Sequence, residues 1–189
     1  MPKTASSSWL NRETPNLNVR LARAADIAAM IDLERQCETA AHWSEGQYQS
    51  ALPACGAALT ARLVLVIDGE EQMLTRPNSE RMGTIAGFLV ARHQGPEWEL
   101  ENIVVSSAAR REGLGSQLLE EFLNRAQAVG SECIFLEVRE SNRAARAFYE
   151  AWGFVETGLR RGYFTNPAEN AVLYRRILKT KGTENVGVM

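Results

Sequence analysis

The chain has 189 residues, 45% hydrophobic and 23% charged, with a formal net charge of -2. These totals suit one soluble domain with a sizeable core and exclude the strongly basic balance of a nucleic-acid binder. Cys37, Cys55 and Cys133 show no metal or redox spacing, residues 1–18 carry no apolar secretory core, and no run reaches the roughly 18 apolar residues of a membrane helix, so a cytoplasmic protein with neither metal nor membrane contact is expected.

Residues 1–17, with Ser6 to Ser8 and Pro15, read as a flexible lead-in, and 179–189 as a flexible tail, leaving one folded domain over 18–178. Asn18 to Ala22 alternates Val19 and Leu21 with polar neighbours, as a strand does. Asp26 is placed to cap a helix whose Ile27, Met30, Ile31 and Leu33 fall mostly on one face. Ser44, with Gln47 three positions later, forms a capping box for a short second helix to about Leu52. Ala61 to Ile67 and Thr84 to Ala91 are nearly continuous apolar strands, joined by the long polar loop Asp68–Met82. Trp98 to Ser106 is another strand. The clearest helix follows, Gly113 to Ala128, where Leu114, Leu118, Phe122 and Ala126 recur every four residues before Gly130. Cys133 to Val138 is a buried strand, Asn142 to Trp152 a helix stopped at Gly153, and Phe154 to Leu159 and Ala171 to Leu178 are the last two strands. The order β-α-α-β-β-β-α-β-α-β-β predicts a single-domain α/β fold, a mixed sheet with helices on both faces.

Arg110-Arg111-Glu112-Gly113-Leu114-Gly115-Ser116 lies after a strand and opens a helix. Glycines there let the backbone pass close to a ligand, and exposed N–H groups plus the helix dipole favour a phosphate. A lone Gly-x-Gly is equally what a plain turn looks like. Neither common nucleotide loop fits: no Gly-Lys-Ser/Thr follows, and Leu118 stands where a dinucleotide fingerprint has its third glycine. The residues by themselves point to a pyrophosphate-bearing cofactor held by a strand–loop–helix.

Arg-x-x-Gly-x-Gly after a strand resembles the acetyl-CoA pyrophosphate loop of the GNAT superfamily of N-acetyltransferases. That family's next landmarks are a strand, an Asn and a helix ending Tyr-x-x-x-Gly-Phe. Here they are matched by Leu136-Glu137-Val138-Arg139-Glu140-Ser141-Asn142 and Phe148-Tyr149-Glu150-Ala151-Trp152-Gly153-Phe154. The Leu-Glu-Val-Arg-x-Ser-Asn string, Arg160-Arg161-Gly162-Tyr163-Phe164 and Trp43-Ser44-Glu45 are similar to the RimI-type branch, which acetylates the N-terminal alanine of a small-subunit ribosomal protein. The resemblance covers most of 18–178. It implies a mostly antiparallel sheet, acetyl-CoA as co-substrate and a protein N-terminus as acceptor, with no direct nucleic-acid contact. It departs at Asp68–Met82, at Asn170, where the branch tends to carry an acidic residue, and in both end segments. Those departures bear on the acceptor, not on acetyl transfer.

Aminolysis of a thioester needs a base, because an α-amine with a pKa of about 7.7–8.0 is largely protonated at neutral pH, and an acid for the departing thiolate. By resemblance Glu137 is the base and Tyr149 the acid. Their structural alternatives are a salt-bridged strand residue and core packing beside Phe148. Glu99 and Glu101 are rival bases, or else the solvent-facing half of Trp98-Glu99-Leu100-Glu101. The family lays the pantetheine arm along the main chain of Ile103, Val104 and Val105, where a backbone N–H also meets the oxyanion. It holds the pyrophosphate on Arg111, Glu112, Gly113, Leu114, Gly115 and Ser116, and Tyr149 borders the cofactor too. Asn142 bonds the pantetheine arm or caps its helix, two compatible roles.

Arg160, Arg161 and Tyr163 either line the acceptor groove or form an ordinary polar hairpin. His42 and His93 have no partner spacing and read as surface or packing residues. Cys133 reads as core, which favours direct transfer over an acetyl-cysteine route. Two other functions stay open: transfer to a small amine such as a polyamine or aminoglycoside, and a non-catalytic acyl-CoA-binding module. An acidic pocket would favour the former, whereas the presence of both Glu137 and Tyr149 counts against the latter.

Overall fold

A computed structural model describes residues 18–37, 39–52, 61–69 and 85–178. The expected flexible segments 1–17 and 179–189, Cys55 and nearly all of the Asp68–Met82 loop lie outside the described residues. Among them, seven strands form one sheet in the order β1 (Val19–Leu21), β2 (Arg62–Asp68), β3 (Ile85–Gln94), β4 (Glu97–Val105), β5 (Cys133–Arg139), β7 (Ala168–Ile177) and β6 (Val155–Thr165). Neighbours are antiparallel except β4 and β5, which run parallel and are joined through α3 (Leu114–Ala128). Helices α1 (Ile27–Arg35) and α2 (Glu45–Ala51) cover one face of the sheet, and α3 and α4 (Arg143–Ala151) the other. The expected mixed, mostly antiparallel α/β fold is what the chain adopts.

The four-residue repeat of α3 is its buried stripe. Leu114, Leu118, Phe122 and Ala126 are all 1% exposed or less and share a core with Leu65, Leu89, Leu100, Ile134 and Leu136. Each large side chain buried there stabilises the fold by roughly 1.5–3 kcal/mol. On the other face Met30, Leu33 and Tyr48 pack with Val64, Val66, Phe88 and Val104. The capping box forms: Ser44 Oγ accepts from Gln47 N at 3.4 Å, and Gln47 Oε1 accepts from Ser44 N at 2.8 Å. Asp26 departs from expectation. Its carboxylate does not cap α1 but turns back to accept from Arg23 N at 2.7 Å and from two Arg20 nitrogens at 2.8 and 2.9 Å. A guanidinium on β1 is a stronger partner for that charge than a helix-end N–H.

Two strands outrun their expected ends. β3 continues past Ala91 to Gln94, because Arg92 and Gln94 bond Glu99 across the turn into β4. β6 continues past Leu159 through Thr165, its polar residues concealing a strand because it lies at the sheet's edge and is exposed along most of its length.

The middle of the sheet carries the irregularity that makes room for a site. Val90 opposes Asn102 while Ala91 opposes Leu100, so Glu101 is an extra residue in β4. A bulge of this kind bends its strand. β4 accordingly pairs with β5 only over Glu97 to Leu100 and Cys133 to Leu136. Beyond that point the two strands part.

Candidate active site

A cleft of about 430 Å³ lies between residues 103–105 of β4, residues 109–116 at the entry to α3, and α4. Gly113 precedes α3 with φ +84°, a left-handed conformation that glycine adopts without penalty. The chain is thereby turned so that the start of α3 borders the cleft, where its first N–H groups have no partner inside the helix and favour an anion. Arg110 and Arg111 line the same space and add positive charge. A Cβ at Gly115 would stand 3.7 Å from Val105 Cγ2 and 3.8 Å from the Phe148 ring, so the bare glycine keeps the cleft open between β4 and α4. Of the residues expected to hold a cofactor, Ile103, Val104, Val105, Arg111, Gly113, Leu114, Gly115, Ser116, Asn142 and Tyr149 all line it. Glu112 does not, and one of its carboxylate oxygens is buried without a partner.

A second pocket, about 130 Å³, opens where β4 and β5 part, and shares Cys37, Thr39, Ile103, Asn142, Ala145 and Tyr149 with the first. Side chains alternate along β5, so Leu136 and Val138 enter the α3/α4 core while Glu137 projects to the opposite face. Tyr149 arrives from α4, on the core side. Both nevertheless line this pocket, because the gap between the strands joins the two faces.

The Glu137 side chain is 19% exposed, with Oε1 2.8 Å from Arg160 Nη1. The Arg160 guanidinium in turn lies 4.9 Å from the centre of the Tyr163 ring. Interaction with the Glu137 carboxylate, ahead of partial burial, raises the ionisation of the Tyr163 phenol. Tyr149 is buried, with the Phe148 and Phe154 rings 5.4 and 5.7 Å away. Burial pushes its phenol far above the usual range, so it carries its proton at any physiological pH.

Glu99 and Glu101 are ion-paired as Glu137 is. Glu101 lines the smaller pocket, but Arg62 donates to it at 2.8 and 3.0 Å and Arg92 lies 3.3 Å away. Glu99 accepts from Arg92 and Gln94 and lines a different hollow, about 240 Å³, together with Glu97, Glu137 and Arg160. Asn142 caps α4, its Oδ1 accepting from Ala145 N at 3.1 Å, while bordering both pockets. Asn170 accepts from Gly162 N and donates to Glu140, tying the irregular stretch of β6 to the end of β5. Arg161 lines none of these spaces. His93 packs on Trp98 at 4.7 Å between ring centres, and Cys133 is fully buried, which raises its thiol.

Sequence reasoning passed over Cys37 and Thr39, which line both spaces, Phe148 in the larger cleft, and Asn102, Arg139 and Phe164 in the smaller. Only Asn102 advertised itself, as a polar residue beside Ile103, Val104 and Val105. Among the described residues no group of three or more His, Cys, Asp or Glu side chains is placed to hold a metal ion. No helix there is long and apolar enough to cross a membrane.

Residues 27–154 match the acetyltransferase (GNAT) family. The ribosomal protein bS18-alanine N-acetyltransferase of Escherichia coli strain K12 is 39% identical over 93 residues, which are 48% of this chain and 63% of that protein. The crystal structure of the ribosomal-protein-S18-alanine N-acetyltransferase from Escherichia coli has a TM-score of 0.69 at 27% identity, over 90% of this chain and 99% of that one. The structure of Arabidopsis thaliana NAA60 in complex with acetyl-CoA has a TM-score of 0.70 over 86% of this chain and 99% of its own, and at 12% identity shares the fold alone.

Proposed function

This chain belongs to the acetyltransferase (GNAT) family, and from that premise we propose that it transfers the acetyl group of acetyl-CoA to the N-terminal α-amine of a protein, first among candidates a ribosomal protein beginning with alanine. One observation carries the reading: Glu137 and Tyr149 reach the same pocket from opposite faces of the sheet, where that pocket adjoins a cleft suited to a pyrophosphate-bearing ligand. The Escherichia coli relatives named for alanine N-acetylation support the acceptor, and the plant structure bound to acetyl-CoA supports the donor. A ribosomal acceptor places the reaction in the cytoplasm.

Acetyl-CoA supplies the thioester. Glu137 takes, directly or through water, the proton that leaves the amine nitrogen as the nitrogen–carbon bond forms. Main-chain N–H groups of residues 103–105 receive the charge that builds on the carbonyl oxygen. As the carbon–sulfur bond breaks, Tyr149 gives its proton to the departing thiolate. The products are the acetylated N-terminus and CoA. Residues 111–116, the loop and the first turn of α3, hold the pyrophosphate.

The test is release of CoA thiol from acetyl-CoA with short peptides beginning Ala, Ser, Met or Gly, beside spermidine and free lysine. Turnover on alanine peptides is expected, with Glu137→Gln and Tyr149→Phe each lowering kcat by roughly 10²–10⁴-fold. Turnover confined to spermidine would favour a small cationic amine, a reading to which the hollow beside Glu97, Glu99 and Glu137 lends its one specific support. Tight acetyl-CoA binding with no turnover on anything would overturn the enzyme.

A further inference from the structure

Glu34, in the last turn of α1, is a carboxylate only 1% exposed. Its Oε1 accepts from Asn102 Nδ2 at 2.6 Å, and its Oε2 accepts from the Trp43 main-chain N–H at 2.9 Å. These two donors come from two separate walls of the smaller pocket. Asn102 lines it from the β4 bulge, and Trp43 closes the segment whose Thr39, Ala40 and Ala41 line it as well. Beside them lies the buried Tyr48 hydroxyl, whose ionisation is pushed up by burial and by the neighbouring Glu34 carboxylate.

Burying a carboxylate forfeits its hydration, and an apolar side chain of similar size often fills such a place at least as well. What the carboxylate adds is direction: two bonds that fix two segments, far apart in sequence, against each other. We infer that Glu34 is the positioning residue of the acceptor pocket, holding residues 39–43 against the β4 bulge and so setting the width of the space where the amine is presented. The inference rests on the reading of the smaller pocket as the acceptor's. Glu34 lines neither pocket and acts only through Asn102 and Trp43. Its side-chain bonds run to Trp43 and Asn102, not to residues 109–116.

Glu34→Gln keeps an oxygen for Trp43 and, if the Asn102 amide turns over, an N–H for that amide's oxygen. Glu34→Ala keeps neither. With whichever acceptor the wild type acetylates, Glu34→Ala raises the acceptor KM about tenfold or more, equivalent to about 1.4 kcal/mol of lost binding. Acetyl-CoA Kd and kcat stay within about twofold, and Glu34→Gln falls between, as partial rescue. A loss of kcat with both KM values unchanged, or acetyl-CoA binding weakened as much as acceptor binding, overturns the inference. Amide hydrogen exchange reads the same point without turnover. Exchange in residues 39–43 should rise about tenfold in Glu34→Ala with α3 unchanged, and equal acceleration in both would sink it. Absence of peptide turnover in the wild type would instead count against the proposed reaction.

Discussion

Gly87→Ala asks whether the β4 edge that borders the larger cleft is set by the close approach of β3. A Cβ at position 87 would stand 2.8 Å from the Val104 carbonyl oxygen and 3.3 Å from both Ile67 Cγ2 and Leu118 Cδ1. The first contact is with main chain already fixed in the β3–β4 ladder, so rotating a side chain cannot relieve it. Overpacking of this kind costs about 1–3 kcal/mol, while exchanging glycine for alanine in ordinary backbone returns about 0.4–1 kcal/mol through the unfolded chain. The expected net loss is about 1–2 kcal/mol, lowering Tm by roughly 2–8 °C for a domain of this size. Val104 stands between Ile103 and Val105 in the cleft wall, so the displacement should also weaken acetyl-CoA binding by about threefold to tenfold. Scanning calorimetry and titration calorimetry read the two effects. Gly46→Ala is the control: no atom lies within 4 Å of its added Cβ, and in α2 it should gain roughly 0.5–1 kcal/mol. A Gly87→Ala protein as stable as wild type, with unchanged acetyl-CoA affinity, refutes the reasoning.

Because burial raises the Tyr149 phenol, the wild-type rate should climb through the acceptor amine's ionisation at about pH 7.7–8.0 and hold to about pH 10. A fall below pH 10 that Tyr149→Phe removes would contradict this. Burial alone would raise the Asp26 carboxyl, but the Arg20 guanidinium and the Arg23 N–H outweigh it and hold it below its ordinary value. A carboxyl so depressed adds stability that is complete above its unfolded pKa and is lost as pH falls through its folded one. Asp26→Asn should therefore cost about 1.5–3 kcal/mol at pH 7, and its melting deficit should shrink on acidification below about pH 4; a deficit independent of pH would refute the assignment. Glu101→Gln should leave kcat within about threefold, because that carboxylate is already bound by Arg62 and Arg92. A loss as deep as that of Glu137→Gln would move the base to Glu101.

What was legible in the sequence was local. The α3 repeat and the Ser44–Gln47 box depend on residues within a turn or two of one another, and both formed as expected. Asp26 was misplaced because its governing partner, Arg20, lies on a strand, and Arg20 is bonded also to Asp68, 48 residues further along. The outer half of β6 was hidden because an edge strand with water around it has no apolar alternation to display. The Glu101 bulge has no sequence signature at all, being defined by the register of a neighbouring strand. Glu137 and Tyr149 were named through resemblance. Nothing in their spacing says that a strand residue and a helix residue on opposite faces share one pocket.

That sharing follows from how the sheet is built. In a closed sheet, side chains on opposite faces are separated by hydrogen-bonded backbone and cannot address one bond. Here β5 keeps β7 as a partner from Cys133 to Arg139, and β4 keeps β3 as far as Val105, so each can part from the other without losing its outer ladder. The parting leaves main-chain N–H and C=O groups of β4 beyond Leu100 facing an opening rather than a strand. Such an edge can take an extended ligand by strand-like hydrogen bonds, as a pantetheine arm with its two amides would require. The bulge that produces the opening also places Glu101 and Asn102 on the α1 side, where Arg62 and Glu34 engage them. Glu137 reaches the same gap from β5, where Arg160 and Tyr163 are its neighbours, and in the proposed reaction it is the carboxylate that takes the acceptor's proton.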